Sequence, residues 1–161
     1  MKAITVLGIG NILMRDEGAG VRLMEAVRDA RPWPCEVEFI DGGVGGLNLL
    51  NIIEEAARLI VFDAADMGLP AGQARVIAPE QVMDEDAAGR LSMHEVPFIE
   101  MLRLCEQFSR RPPATILAIQ PAAVEYGREL SEPILAVFDG LKRQAIELVA
   151  ASLAGPPNKA G

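Results

Sequence analysis

Ala3-Ile4-Thr5-Val6-Leu7-Gly8-Ile9-Gly10-Asn11-Ile12-Leu13-Met14-Arg15-Asp16-Glu17-Gly18-Ala19-Gly20 is the stretch from which the fold can be read. The apolar run Ala3–Ile9 predicts a strand, and the amphipathic run beginning near Gly18 predicts a helix, with a tight turn between them. Gly8 and Gly10 allow backbone angles and close approaches that a Cβ would block. The loop then presents two adjacent carboxylates, Asp16 and Glu17, at the mouth of the helix. A phosphate-binding loop would hold amide donors there and avoid negative charge, so this loop reads as one that serves a cation. On the loop alone a second reading is equally open, in which Asp16 and Glu17 are first-turn acids complementing the helix dipole.

Working outward, strand one is apolar enough for burial on both faces, as a central parallel strand is. The first helix is expected over Gly18–Ala30, with Val21, Met24 and Val27 on one side and Arg22, Glu25 and Asp29 off it. Pro32 and Pro34 stop it. Strand two, Glu36–Ile40, alternates Val37 and Phe39 with glutamates, so one face or edge is wetter. Asp41-Gly42-Gly43-Val44-Gly45-Gly46 follows, either a closely approached or flexible surface beside the strand end or a plain solvated turn. A helix over Leu47–Ala57 leads to strand three, Leu59–Phe62, which ends in Asp63. A turn through Gly68–Gly72 leads to strand four, Gln73–Ile77. That link is shorter than the roughly dozen residues of a parallel crossover, so strand four is expected antiparallel to strand three.

Asp84–Arg90 is acidic and irregular. Ser92 and Glu95 have capping-box spacing, and Pro97 is tolerated only near a helix start, so a helix is expected from about His94 to Phe108. Strand five is Thr115–Ile119. The last helix, Glu132–Ser152, carries the stripe Ile134, Val137, Phe138, Leu141, Ala145 and Leu148. Residues 155–161 read as a flexible tail. The alternation predicts a single α/β domain over residues 1–154: a three-layer α/β/α sandwich with a mostly parallel five-stranded sheet and one antiparallel strand.

The chain has 161 residues, half of them hydrophobic, enough for one sizeable core. Its net charge of −8, with no basic cluster beyond Arg110-Arg111, argues against nucleic acid and anionic membranes as partners. Cys35 and Cys105, far apart and without a CxxC, suit free buried thiols in a reducing cytosol. No signal sequence and no run near the roughly 20 residues of a membrane span is visible. A cytoplasmic protein is expected, and a monomer, since no exposed apolar stripe demands a mate.

Ligands of open α/β sheets bind outside the carboxyl ends of the strands. Glu17 follows strand one and Asp63 follows strand three, which puts both acids on one rim. His94 is the only histidine, so HExxH and three-histidine zinc sites are excluded. A metal site here is mixed, with carboxylates and at most one imidazole, which suits a divalent transition ion with open positions. Bland readings stand beside these: Asp63 as an Asx-turn or capping residue, His94 as a surface residue, Cys105 as core.

The stretch Gly8–Leu13 through Asp16–Gly20 closely resembles the N-terminal motif of the hydrogenase maturation proteases, endopeptidases that process the large subunit of nickel-iron hydrogenases. Asp41-Gly42-Gly43, Asp63, Ser92-Met93-His94, Ile119-Gln120-Pro121 and Leu130-Ser131 follow in the family's order. The resemblance implies that Glu17, Asp63 and His94 contact nickel and carry catalysis, with Asp41 and its glycines bordering the cleft. It implies removal of a C-terminal extension from the large-subunit precursor, only after nickel insertion, the nickel being brought by the substrate. Asp16 or Asp41 is then a candidate base. Two positions depart from the pattern: Glu95 where many relatives carry glutamine, and Glu17 where some carry aspartate.

Three other readings compete with this one. A dinucleotide-binding module would share strand–Gly8-x-Gly10–helix, but its third glycine falls on Leu13 and Asp16-Glu17 would repel a pyrophosphate. A serine hydrolase would need a GxSxG elbow, which is absent. A non-catalytic nickel-dependent assembly chaperone would use the same ligands as the protease.

Overall fold

Strand β1 (Ile4–Ile9) is buried along its whole length, which a strand achieves only at the centre of a sheet covered on both faces. It pairs in parallel with β2 (Val37–Gly43) on one side and β3 (Leu59–Ala64) on the other. Strand β5 (Ala114–Ile119) extends the parallel part beside β3, and β4 (Ala74–Ile77) closes the far edge antiparallel to β5. The order is β2-β1-β3-β5-β4, the mixed five-stranded sheet expected. The computed structural model describes residues 2–45, 48–83, 98–108 and 110–155.

Among the described residues the helices are α1 (Ala19–Asp29), α2 (Asn48–Glu55), the single turn α3 (Glu80–Met83), α4 (Phe98–Phe108) and α5 (Glu132–Leu153). Side chains alternate across a strand, and the core divides accordingly. Helices α1 and α5 cover Ile4, Val6, Ile60, Phe62, Leu117 and Ile119. Helices α2 and α4 cover Leu7, Ile9, Leu59, Val61, Ile116 and Ala118. Phe62 anchors the first layer and Phe98 the second, both fully buried; burying either is worth on the order of 2–3 kcal/mol. Helix α1 ends where Trp33, set between Pro32 and Pro34, donates its indole N–H to the Val27 carbonyl at 2.9 Å and packs on Phe39.

Several sequence expectations are corrected. Strand β2 runs on through Asp41, Gly42 and Gly43, because the parallel ladder with β1 continues past Gly8 across a bulge. Strand β3 likewise includes Asp63, paired opposite Ala118, so this acid sits in the sheet rather than after it. On α5, Val137 is 38 % exposed and Val149 is buried; the stripe follows Ile134, Leu141, Ala145 and Val149, with Phe138 and Leu148 packed at its margin. Cys105 is buried as expected, whereas Cys35 is exposed. The segment Asp84–Arg90, the capping residues Ser92 and Glu95, Pro97, Gly46, Leu47 and the tail beyond Gly155 lie outside the described residues. Among the described residues no helix is long and apolar enough to cross a membrane.

Candidate active site at the carboxyl ends of β1 and β3

From β1 the chain passes through α1 to β2, then returns through α2 to β3 on the opposite side of β1. The strand order therefore reverses between β1 and β3, and the crevice outside their carboxyl ends is where an open α/β sheet receives ligands. Helix α1 starts hard against this point. A Cβ on Gly20 would collide with the Phe62 carbonyl and come within 2.6 Å of the Ile9 carbonyl. Gly10, at φ +134°, passes so close to Glu17 that a side chain there would strike the Glu17 carbonyl. These approaches press the short 3-10 turn Arg15–Gly18 onto the rim.

That turn carries Glu17, partly buried, while Asp63 lies only 3 % exposed on β3. Desolvation pushes the Asp63 carboxyl up to about 8; the Ala64 N–H bonded to it works against the rise, and the charge of Glu17 adds to it. The two acids are thus brought together as expected. Among the described residues Asp63 Oδ2 has no hydrogen-bond partner. An unpaired buried carboxylate oxygen is costly unless a proton or a cation occupies it.

Asp16 does something else. It is fully buried, and both its oxygens are engaged. Oδ1 accepts the Ser131 N–H at 2.7 Å; Oδ2 accepts the Ala122 and Ala123 N–H groups at 2.9 and 2.8 Å and the Ser131 hydroxyl at 2.6 Å. Desolvation would raise its pKa, but these four donors together hold it below the usual carboxylate value. Asp16 is therefore a structural tie between the β1–α1 and β5–α5 loops, its oxygens engaged by four donors and not free to serve as a base. Arg15, at φ +49°, reinforces the tie through its N–H to the Gly127 carbonyl at 2.9 Å and its guanidinium to Glu125 at 2.9 Å. The Gly10, Leu13, Met14, Arg15, Asp16 and Glu17 amides all donate to oxygens of the protein itself, so they form no cradle for a phosphate.

Gln120, at the end of β5, holds the other side of the rim. Its Oε1 accepts the Met67 N–H at 2.7 Å and the Leu69 N–H at 3.2 Å, and its Nε2 donates to Asp66 at 3.1 Å. Asp41 is exposed at the end of β2, where its Oδ1 accepts the Gly43 N–H at 2.8 Å. It borders a hollow of about 390 Å³ shared with Gly43, Val44 and Asn48. A hollow of about 560 Å³ lined by Lys2, Thr5, Glu54 and Arg110 opens near the amino-terminal ends of the strands, away from the rim that receives ligands.

His94 lies outside the described residues. Among the described residues no three His, Cys, Asp or Glu side chains are close enough to hold a metal, so Asp41 does not complete a set with Glu17 and Asp63. Sequence reasoning missed the roles of Asp16 and Ser131. The signal was indirect: Ser131 precedes the last helix as an N-cap serine would, yet its side chain makes no cap bond and is spent on Asp16.

Comparisons with known proteins agree with this architecture. The sequence model described as hydrogenase maturation protease matches residues 21–148. The chain is 38 % identical over 150 residues to the hydrogenase expression/formation protein HoxM of Azotobacter vinelandii, covering 91 % of this chain and 72 % of that one. It is 41 % identical over 133 residues to HupD, of the same description, from Bradyrhizobium diazoefficiens, covering 81 % and 69 %. The solved hydrogenase maturating endopeptidase HybD from Escherichia coli superposes with a TM-score of 0.75 at 28 % identity, covering 94 % of each chain.

Proposed function

The chain belongs to the hydrogenase maturation protease family, and from that premise we propose that it removes the C-terminal extension of a nickel-iron hydrogenase large-subunit precursor after nickel insertion. The observation that carries the finer reading is the pair Glu17 and Asp63, in which a desolvated carboxylate with an unpartnered oxygen sits beside a second acid. Such a pair calls for a divalent cation. In the proposal that cation is nickel, carried by the precursor and therefore part of the substrate, with His94 as the third contact.

Before the precursor arrives, Asp63 keeps its proton, because burial desolvates it and no donor among the described residues reaches Oδ2 to stabilise the charge. Glu17, less buried, supplies negative charge at the rim. Nickel bound there would polarise the scissile carbonyl or acidify a water. Asp63 and Glu17 would hold the ion, Asp63 as a carboxylate once its proton has passed to solvent, and the two acids together would orient the precursor's C-terminal segment across the crevice. Asp41, exposed on the neighbouring strand, is the remaining candidate base. Recognition would then depend on metal loading, since an empty precursor offers this pair nothing to bind.

The test is cleavage of the precursor by Glu17→Gln and His94→Ala variants, followed by the shift of the large subunit on a gel, with circular dichroism as the check on folding. Folded variants without cleavage are expected. Glu17→Gln with wild-type turnover would overturn the ligand assignment.

A further inference from the structure

Single exposed apolar side chains are ordinary on protein surfaces; a cluster on one feature is not. Among the described residues nine large hydrophobic side chains are exposed, and five of them, Ile12, Leu13, Val44, Val124 and Tyr126, sit on loops at the rim that holds Glu17 and Asp63. Tyr126 is 84 % exposed and Val44 75 %. Neither adds to the core, so folding alone does not account for them.

The loops that carry them are joined. Met14 and Gly127 form a parallel bridge, the Gly127 N–H donates to the Leu13 carbonyl at 2.8 Å, and the Gly10 N–H donates to the Gly43 carbonyl at 2.7 Å. Asp16 further locks the 10–16 loop to the 121–131 loop. The apolar side chains are therefore presented on a fixed backbone, which lowers the ordering cost of binding. Such side chains, standing out from surface loops instead of lining an enclosed pocket, suit a protein surface better than a small molecule.

We propose that Ile12, Leu13, Val44, Val124 and Tyr126 form the docking surface for the folded body of the large-subunit precursor, outside the crevice that takes its C-terminal segment. This rests on the function proposed above, which requires a protein substrate at this rim. Tyr126 and Val124 are the anchors, being the more exposed pair on one loop, while Glu17 follows Ile12 and Leu13 on their loop and Asp41 precedes Val44 at the end of β2. Its occupant is accordingly an apolar area of the precursor adjoining the processed end.

The experiment compares precursor-concentration series of cleavage for wild type, the double variant Val124→Ser/Tyr126→Ser, and Phe108→Ser. Phe108 is 76 % exposed but lies at the end of α4 that leads into the start of β5, opposite the rim. The double variant is expected to raise KM roughly tenfold or more, as loss of interface anchors does, with kcat within about twofold and Phe108→Ser matching wild type. A double variant with wild-type KM, or a Phe108→Ser variant equally impaired, would overturn the docking surface while leaving the protease reading intact. Absence of cleavage by wild type would instead overturn the protease reading, and the docking surface with it.

Discussion

Asp16 and Glu17 are neighbours of like charge, and the fold spends them on opposite tasks. Asp16 accepts four hydrogen bonds, so Asp16→Asn turns an amide toward backbone donors and is expected to cost on the order of 2–4 kcal/mol in urea unfolding. Its pKa is lowered on folding from 3.8, so its stabilisation is present above that value and is lost as pH falls below it. Asp63 has the opposite sign. Its folded value of about 8 against 3.8 means that the contribution of the protonated form is complete below 3.8 and gone above about 8. By pH 7 the penalty is at most about 4 kcal/mol. Asp63→Asn is therefore expected to melt above wild type at neutral pH, and to lose the downward slope with pH, even though cleavage is lost. A variant that melts lower than wild type at pH 7.5 would contradict the desolvated, unpartnered carboxyl. No sequence pattern separates Asp16 from Glu17, because what distinguishes them is contact with Ala122, Ala123 and Ser131, more than a hundred positions away.

At the scale of elements, the close seating of α1 on β1 and β3 is what places Glu17 beside Asp63. Gly20→Ala puts a methyl group into the Phe62 and Ile9 carbonyls, and is expected to destabilise by roughly 1–3 kcal/mol or more and to depress cleavage by lifting the helix start. Gly140→Ala, in open space on α5, is the matched control. It is expected to stabilise by up to about 1 kcal/mol, the helix propensity difference. Thermal melts of the two variants check both signs. Elements with a strong period were legible: β1, α1, β5 and α5 fall within a few residues of their expected spans. The ends of β2 and β3 were not, because Asp41-Gly42-Gly43 and Asp63 read locally as turn chemistry and are kept in the sheet by pairing with β1 and β5. Val137 failed on α5 for a related reason, since the helix meets the sheet along a line that its own periodicity only approximates.

For the whole molecule, the decisive feature is the reversal of strand order between β1 and β3. It was legible as a rim shared by two strand ends, since both acids followed apolar runs, and the short link before β4 announced the antiparallel edge. What was not legible was the second layer of that rim, the 121–131 loop clamped to the 10–16 loop, which has no periodicity to betray it. The rim gathers the two acids, the hollow beside Asp41 and the exposed apolar side chains on one side of the molecule, which suits an enzyme whose substrate is a folded protein. The most direct measurement is the intact mass of the precursor large subunit after incubation with this protein, run in parallel for nickel-loaded and nickel-free precursor. Loss of a C-terminal peptide from the nickel-loaded precursor alone is the expected result. Equal cleavage of both precursors would contradict a metal-gated site at Glu17 and Asp63.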